Sequence, residues 1–418
     1  PGRGPAHDHR LMPVLRNIGV LARCLPAGAQ DEIHLLPDAA VAWHGRTVSW
    51  VGPERDLPEE YAAGPVIDAG RRLVVPGLVD CHTHLAFGGW RGDEFALRIQ
   101  GRSYQEIAAA GGGIASTMRK TREAPAAELL GRCRGFLAEM AALGVTTVEC
   151  KTGYGLDEAS ELRLLDVYGA LAREGPQRIV ATLLAAHVVP PEYRDRRADY
   201  VALVTDRIIP AAAGRAGFCD VFVEEGAFSV PEARTILRAG LAHGMRPKLH
   251  ADQLSACGGA ELAGEMGAAS ADHLECITPA GIAAMRAAGA VAVSLPIATL
   301  YLRQPPMPAR TLIDAGIPVA VATDFNPGSA PSFHLPLALT LACTVQRMTP
   351  AEALKGATSI AARAIGVEAE CGSVEVGKAA DLAVIDAPDV NHWLYHFRPN
   401  ACRRTIIGGV TVPRHEAP

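Results

Sequence analysis

Leu73-Val74-Val75-Pro76-Gly77-Leu78-Val79 is an apolar run that stops at Asp80-Cys81-His82-Thr83-His84. A run this apolar reads as a strand covered on both faces, as in a parallel sheet flanked by helices. Residues two apart on a strand point to the same side. His82 and His84 are therefore expected to aim together past the strand end, as half of a metal site. By itself an H-x-H pair is weak evidence in a chain with 14 histidines, and two structural imidazoles are the plain alternative.

Further along, similar runs alternate with helix-length, Ala-rich and charged segments. They are Thr146–Cys150, Ile179–Ala185, Val221–Glu224, Pro247–His250, Ala290–Ser294 and Val319–Ala322. Strand–helix units over roughly 280 residues predict an α/β chain with a (β/α)8, TIM-like barrel, whose catalytic groups lie beyond the C-terminal strand ends. What stops each run is therefore informative. Ile179–Ala186 ends at His187, and Arg246–Leu249 at His250, followed by Asp252 and Gln253. The short run before Asp272 ends at His273, and Ile317–Thr323 ends at Asp324, followed by Asn326 and Gly328. Core histidines have no reason to cap successive strands. Neutral imidazoles plus a carboxylate suit zinc or iron. An open doubly wound sheet is the rival fold, but Gly111-Gly112-Gly113 lacks the spacing of a dinucleotide-binding turn.

Both ends of the chain read differently. Ala40–Trp43, Thr47–Val51, Arg72–Val75, Asp381–Ile385 and Arg404–Val412 are short β-rich runs bounded by Gly and Pro, as in an antiparallel sheet. The expected division is a small β-sandwich domain from residues 11–75 plus 373–418, a barrel over 76–372, and a disordered polar extension over 1–10. The 418 residues are 49% hydrophobic and 20% charged with a net charge of −5. That composition fits a large core and gives no basic excess for nucleic acid. Ala287–Leu302 has only 16 residues and contains Pro296, and Arg16 and Arg23 interrupt Leu11–Cys24, so neither a membrane span nor a signal peptide is expected. Ten scattered cysteines form no C-x-x-C pair and point to a reducing cytoplasm.

The H-x-H pair, the later histidines and the strand-ending aspartate together resemble the amidohydrolase superfamily. Within it, six segments are similar to the imidazolonepropionases: Val75–His84, Arg91–Gly113, Thr146–Gly155, Lys248–Gln253, Ser270–Glu275 and Ala322–Gly328. The likeness runs from about residue 45 to 412. It implies a metal-dependent hydrolase of histidine degradation that opens the ring amide of 4-imidazolone-5-propanoate to N-formimidoyl-L-glutamate. It also implies one divalent or trivalent metal ion, zinc or iron, held by His82, His84, His250 and Asp324. His273, Asp324 and Gln253 are the implied catalytic groups. Arg91, Tyr104, Tyr154, His187, Gln253, Asn326, Gly328 and Ser329 are the implied substrate contacts, and a homodimer is the implied assembly.

Only five residues are lysine: Lys120, Lys151, Lys248, Lys355 and Lys378. Binuclear members of the superfamily carry a bridging lysine after the fourth strand. With Ile179–Ala186 taken as that strand, His187 stands there instead, and only Lys151 competes for the role. Position 253 is Gln where some relatives carry Glu; an amide donates and accepts hydrogen bonds but is no general base. Cys81 stands where Pro is expected, and strand alternation turns it away from the histidines. The rival functions are a deaminase of another nitrogen heterocycle, built on the same ligands, and a barrel scaffold without catalysis.

Overall fold

The computed structural model describes residues 12–62, 64–102, 106–107 and 111–413. The expected extension at 1–10 and Tyr104 lie outside the described residues. Eight strands form a mixed sheet from both ends of the chain: β1 (Val14–Ala22), β2 (Leu35–His44), β3 (Thr47–Pro53), β4 (Val66–Asp68) and β5 (Leu73–Pro76), then β14 (Leu382–Ile385), β15 (Cys402–Ile407) and β16 (Val410–Thr411). Between them run β6 (Leu78–Thr83), β7 (Val145–Lys151), β8 (Arg178–Ala186), β9 (Phe218–Val223), β10 (Arg246–Ala251), β11 (Ser270–His273), β12 (Val291–Ser294) and β13 (Val319–Val321). These eight pair in chain order, all parallel. The barrel closes where Thr83 bridges Phe325, with Asp324 N donating to His82 O at 3.0 Å and His84 N to Phe325 O at 2.9 Å.

The decisive stretch serves both sheets. Leu73–Val79 reads as one run, but the chain breaks at Gly77: β5 pairs with β14 in the mixed sheet, and β6 opens the barrel. A Cβ on Gly77 would stand 2.3 Å from Thr146 Oγ1, so only glycine passes there. Periodicity misses the break because both halves are buried.

Three further expectations change. The mixed sheet is not purely antiparallel, since β1 pairs in parallel with β4 and β5. Leu11–Cys24, weighed only as a possible signal, contains β1, the strand between β2 and β5. Asn17, at φ 54°, and a register shift between Leu15 and Ile18 interrupt the alternation that would have marked it. The strand ending at His187 is the third of the barrel. The fourth is β9, which runs into Glu224, so the bridging-lysine position carries no lysine for a different reason than expected.

The helices that matter for the site are α1 (Gly92–Ile99), α2 (Ala126–Ala142), α3 (Glu158–Glu174), α4 (Val230–Ala242), α5 (Gly259–Glu265), α6 (Pro279–Ala288), α7 (Pro296–Leu302) and α8 (Leu335–Gln346). Short polar residues cap two of them: Asp157 accepts from Ser160 N at the start of α3, and Thr278 from Gly281 N at the start of α6. Their inner faces bury Leu164, Leu237, Leu262 and Leu339 against the strands. Among the described residues no helix is long and apolar enough to cross a membrane.

Candidate active site

Each barrel strand presents alternate residues inward, so charged side chains within apolar strands meet on the axis. At the C-terminal ends, His82, His84 and His250 converge. Nε2 of His84 lies 3.4 Å from Nε2 of His250, and Asp324 Oδ1 lies 3.4 Å from His82 Nε2 and 3.5 Å from His84 Nε2. Donor atoms 2.0–2.1 Å from a tetrahedral zinc lie about 3.3–3.4 Å apart, which is this spacing. His82 Nε2 is buried with no hydrogen-bond partner. His82, His84 and His250 are one group of ligand atoms close enough to share an ion, and His82, His273 and Asp324 are another. Either group fits a metal ion, and His82 belongs to both.

Two carboxylates fix the ring orientations from behind. His82 Nδ1 donates to Asp272 at 2.6 Å, and His250 Nδ1 pairs with Asp220 at 3.1 Å. Each bond leaves the opposite nitrogen's lone pair facing the centre. Lys151 Nζ bridges the two carboxylates, 2.7 Å from Asp220 and 3.3 Å from Asp272, and lies 3.2 Å from Glu149. Lys248 Nζ lies 2.8 Å from the other oxygen of Glu149. All five side chains are fully buried. Burial opposes the charge on Asp272, but the Lys248 and Lys151 ammoniums and the His82 hydrogen bond outweigh it and hold the carboxyl well below its usual range. The competitor Lys151 is thus committed to an ion-pair network beneath the ligands.

Above this floor opens a cavity of about 290 Å³, near the lower end for small-molecule sites. Its walls include His84, Arg91, Tyr154, His187, His250, Gln253, His273, Asp324, Asn326 and Ser329. The rings of His84 and His187 stack at 5.1 Å with 14° between planes, and Tyr154 tilts 5.5 Å from His187. Burial and the neighbouring His84 and His250 push His187 well below its ordinary pKa, and burial pushes His273 down to about 3. Arg91, at the N-terminal end of α1, is 7% exposed and lies 3.8 Å from Glu94.

Two of the expected substrate contacts pack closely against their neighbours. A Cβ on Gly328 would stand 1.2 Å from Arg91 Nη2, so this glycine makes room for the guanidinium. Asn326 spends its amide on its own turn. It accepts from Gly328 N and Ser329 N at 2.8 Å each and donates to Asp324 O at 2.7 Å. Ser329 Oγ in turn lies 3.4 Å from Asp324 Oδ2.

Sequence reasoning passed over Asp220, Asp272, Glu149 and Lys248 as site residues. Their signal was present: each is a charged side chain inside a barrel strand. It also passed over Glu161, whose carboxylate accepts from Gly155 N at 2.8 Å, Leu156 N at 2.9 Å and Gly153 N at 3.2 Å. That carboxylate shapes the loop bearing Tyr154. The apolar walls Ile114, Phe222, Leu254 and Leu302, together with Gln304, carried no signal.

The amidohydrolase family profile matches residues 109–413. Imidazolonepropionase of Myxococcus xanthus is 48% identical over 394 residues, covering 93% of each chain. That of Symbiobacterium thermophilum is 48% identical over 382 residues, covering 90% of each. Among solved structures, a triazine hydrolase variant superposes with a TM-score of 0.76 at 17% identity, over 96% of this chain and 94% of that one. A guanine deaminase from C. acetobutylicum gives 0.70 at 16%, over 96% and 100%. At such identities the structures share the fold alone. Full-length identity to the named relatives is a stronger tie, and by it the chain belongs to the imidazolonepropionase family of the amidohydrolases.

Proposed function

We infer that the protein hydrolyses the ring amide of 4-imidazolone-5-propanoate to N-formimidoyl-L-glutamate in histidine degradation. The observation that carries this reading is a buried arginine in the wall of a cavity whose floor is a cluster of histidines and an aspartate. The substrate has the matching parts: an anionic propionate and a planar ring with one amide to open.

His82, His84, His250 and Asp324 would hold one metal ion, zinc or iron. Such an ion polarises a carbonyl oxygen and acidifies water from a pKa of ~15.7 to about 7. The rest belongs to the chain. Arg91 takes the propionate with its planar fork. Tyr154 and the stacked His187 flank the flat ring, and Gln253 hydrogen-bonds its edge without acting as a base. Water adds to the ring carbonyl, the C–N bond breaks, and the leaving nitrogen needs a proton. His273, whose ring lines the cavity, would take a proton from the water and deliver it to the leaving nitrogen, while Asp324 accepts a hydrogen bond from the water. A neutral heterocycle, the substrate of a deaminase, carries no carboxylate for the fork of Arg91 to bind. A homodimer is proposed as the assembly, to be checked by analytical ultracentrifugation.

The test is loss of imidazolone absorbance in urocanase-generated substrate, with and without chelator, and mass detection of the opened product. Failure of metal-loaded protein to consume the substrate overturns the reading. Arg91→Ala is expected to raise KM at least about tenfold, the weight of a lost charge-assisted bond; an unchanged KM counts against the assignment.

A further inference from the structure

Behind His273 lies a carboxylate with no assigned work. Glu275 is 1% exposed at its side chain, and its Oε2 is buried without a hydrogen-bond partner. His273 Nδ1 is buried and equally unpartnered, while its ring lines the cavity. These two orphan atoms face each other at 3.9 Å. The other carboxylate oxygen is fixed, accepting from Thr299 Oγ1 of α7 at 2.9 Å. A buried carboxylate oxygen left unpaired is costly, and so is an unpaired imidazole nitrogen.

The backbone is bent to bring the pair together. His273 and Leu274 are consecutive non-glycine residues in the left-handed region, at φ 81° and 66°. Each such residue is strained and persists only where its surroundings impose it. Here Leu274 N donates to Ala251 O at 3.0 Å and Cys276 N to Asp252 O at 2.8 Å, pinning the turn to the end of β10. Glu275 neither lines the cavity nor belongs to the groups of ligand atoms. Its free oxygen addresses His273.

We propose that Glu275 is a positioning residue for His273: its Oε2 accepts the Nδ1–H of His273 and so presents Nε2 to the reacting centre as the proton acceptor. The gap of 3.9 Å exceeds a hydrogen bond, so the proposal requires the His273 ring to turn toward Oε2. The proton that Nε2 takes from water is the one it delivers to the leaving ring nitrogen, so His273 ends the cycle as it began. A carboxylate holding one imidazole tautomer is the same device by which Asp220 and Asp272 orient His250 and His82. The proposal rests on the reading that His273 moves the proton.

The experiment joins kinetics with nitrogen NMR on histidine-labelled, zinc-loaded protein. Glu275→Leu is expected to lower kcat by about 100-fold, the scale of a lost proton-transfer group, with KM within about twofold. Glu275→Gln keeps an acceptor oxygen and should recover to within about tenfold of the unmodified protein. In a His273→Ala background neither change should cost more. NMR should show His273 as the Nδ1–H tautomer, and Glu275→Leu should abolish that preference. An Nε2–H tautomer in the unmodified protein overturns the proposal, as does an undiminished Glu275→Leu penalty without His273. The tautomer is read without substrate, so it decides even where Glu275→Leu fails to fold. Absence of turnover by the unmodified protein would instead strike the functional reading.

Discussion

Lys151 shows how much one side chain holds. Its ammonium touches both carboxylates that orient metal-facing histidines. Lys151→Met would leave Asp220 and Asp272 as neighbouring buried charges with one cation fewer. Metal affinity should fall about 10–100-fold, the usual effect of removing support behind a ligand; chelator competition measures it. Gly328 sets a second limit. A methyl there collides with Arg91 Nη2, so Gly328→Ala should raise KM for the propionate-bearing substrate while metal content stays unchanged, read by steady-state kinetics and metal analysis. Neither role was visible in composition or spacing. Lys151 stood out only by scarcity, and the contact of Gly328 lies more than 200 residues away in the chain.

Among elements, the loop after β7 depends on α3. Glu161, in the first turn of that helix, reaches back to three backbone N–H groups around Tyr154. Glu161→Ala would strand these donors in a buried site. A cost of about 1–3 kcal/mol follows for each donor left unsatisfied, less whatever water re-enters. Chemical denaturation should show the loss, with kcat/KM falling as Tyr154 loses its place. The barrel strands themselves were legible because buried parallel strands are nearly uninterrupted apolar runs. β1 was not, since a bulge at Asn17 breaks its alternation. The break at Gly77 was hidden for the opposite reason, because nothing polar marks it.

At the scale of the molecule, the two chain ends are tied beside the barrel by charge as well as by the mixed sheet. Asp386, just after β14, meets Arg403, Arg72 and Arg398. Hydrogen bonds from Arg403 and Arg72 hold its carboxyl well below the usual range. A folded-state pKa below the unfolded one stabilises above the ordinary carboxylate pKa, and the gain is lost as pH falls through that value and below it. The side chain is 24% exposed, so solvent screening limits its worth to about 1 kcal/mol or less. Asp386→Asn should therefore destabilise by that amount at pH 7 and by progressively less as pH falls below the ordinary carboxylate pKa, as denaturation at a series of acid pH values would show.

The sequence by itself determined the barrel, the origin of the second sheet in both chain ends, and the strand-ending residues His82, His84, His187, His250, His273 and Asp324. These follow from local rules: apolar runs make buried strands, and a polar residue ending such a run sits at the barrel mouth. Tertiary structure alone decided what those residues meet. The lysine–carboxylate floor, the seat of Arg91 over Gly328 and the facing of Glu275 and His273 are contacts between positions set by turn geometry and barrel closure. No period or motif in a linear chain encodes such distances, because they arise only when eight strands share one axis.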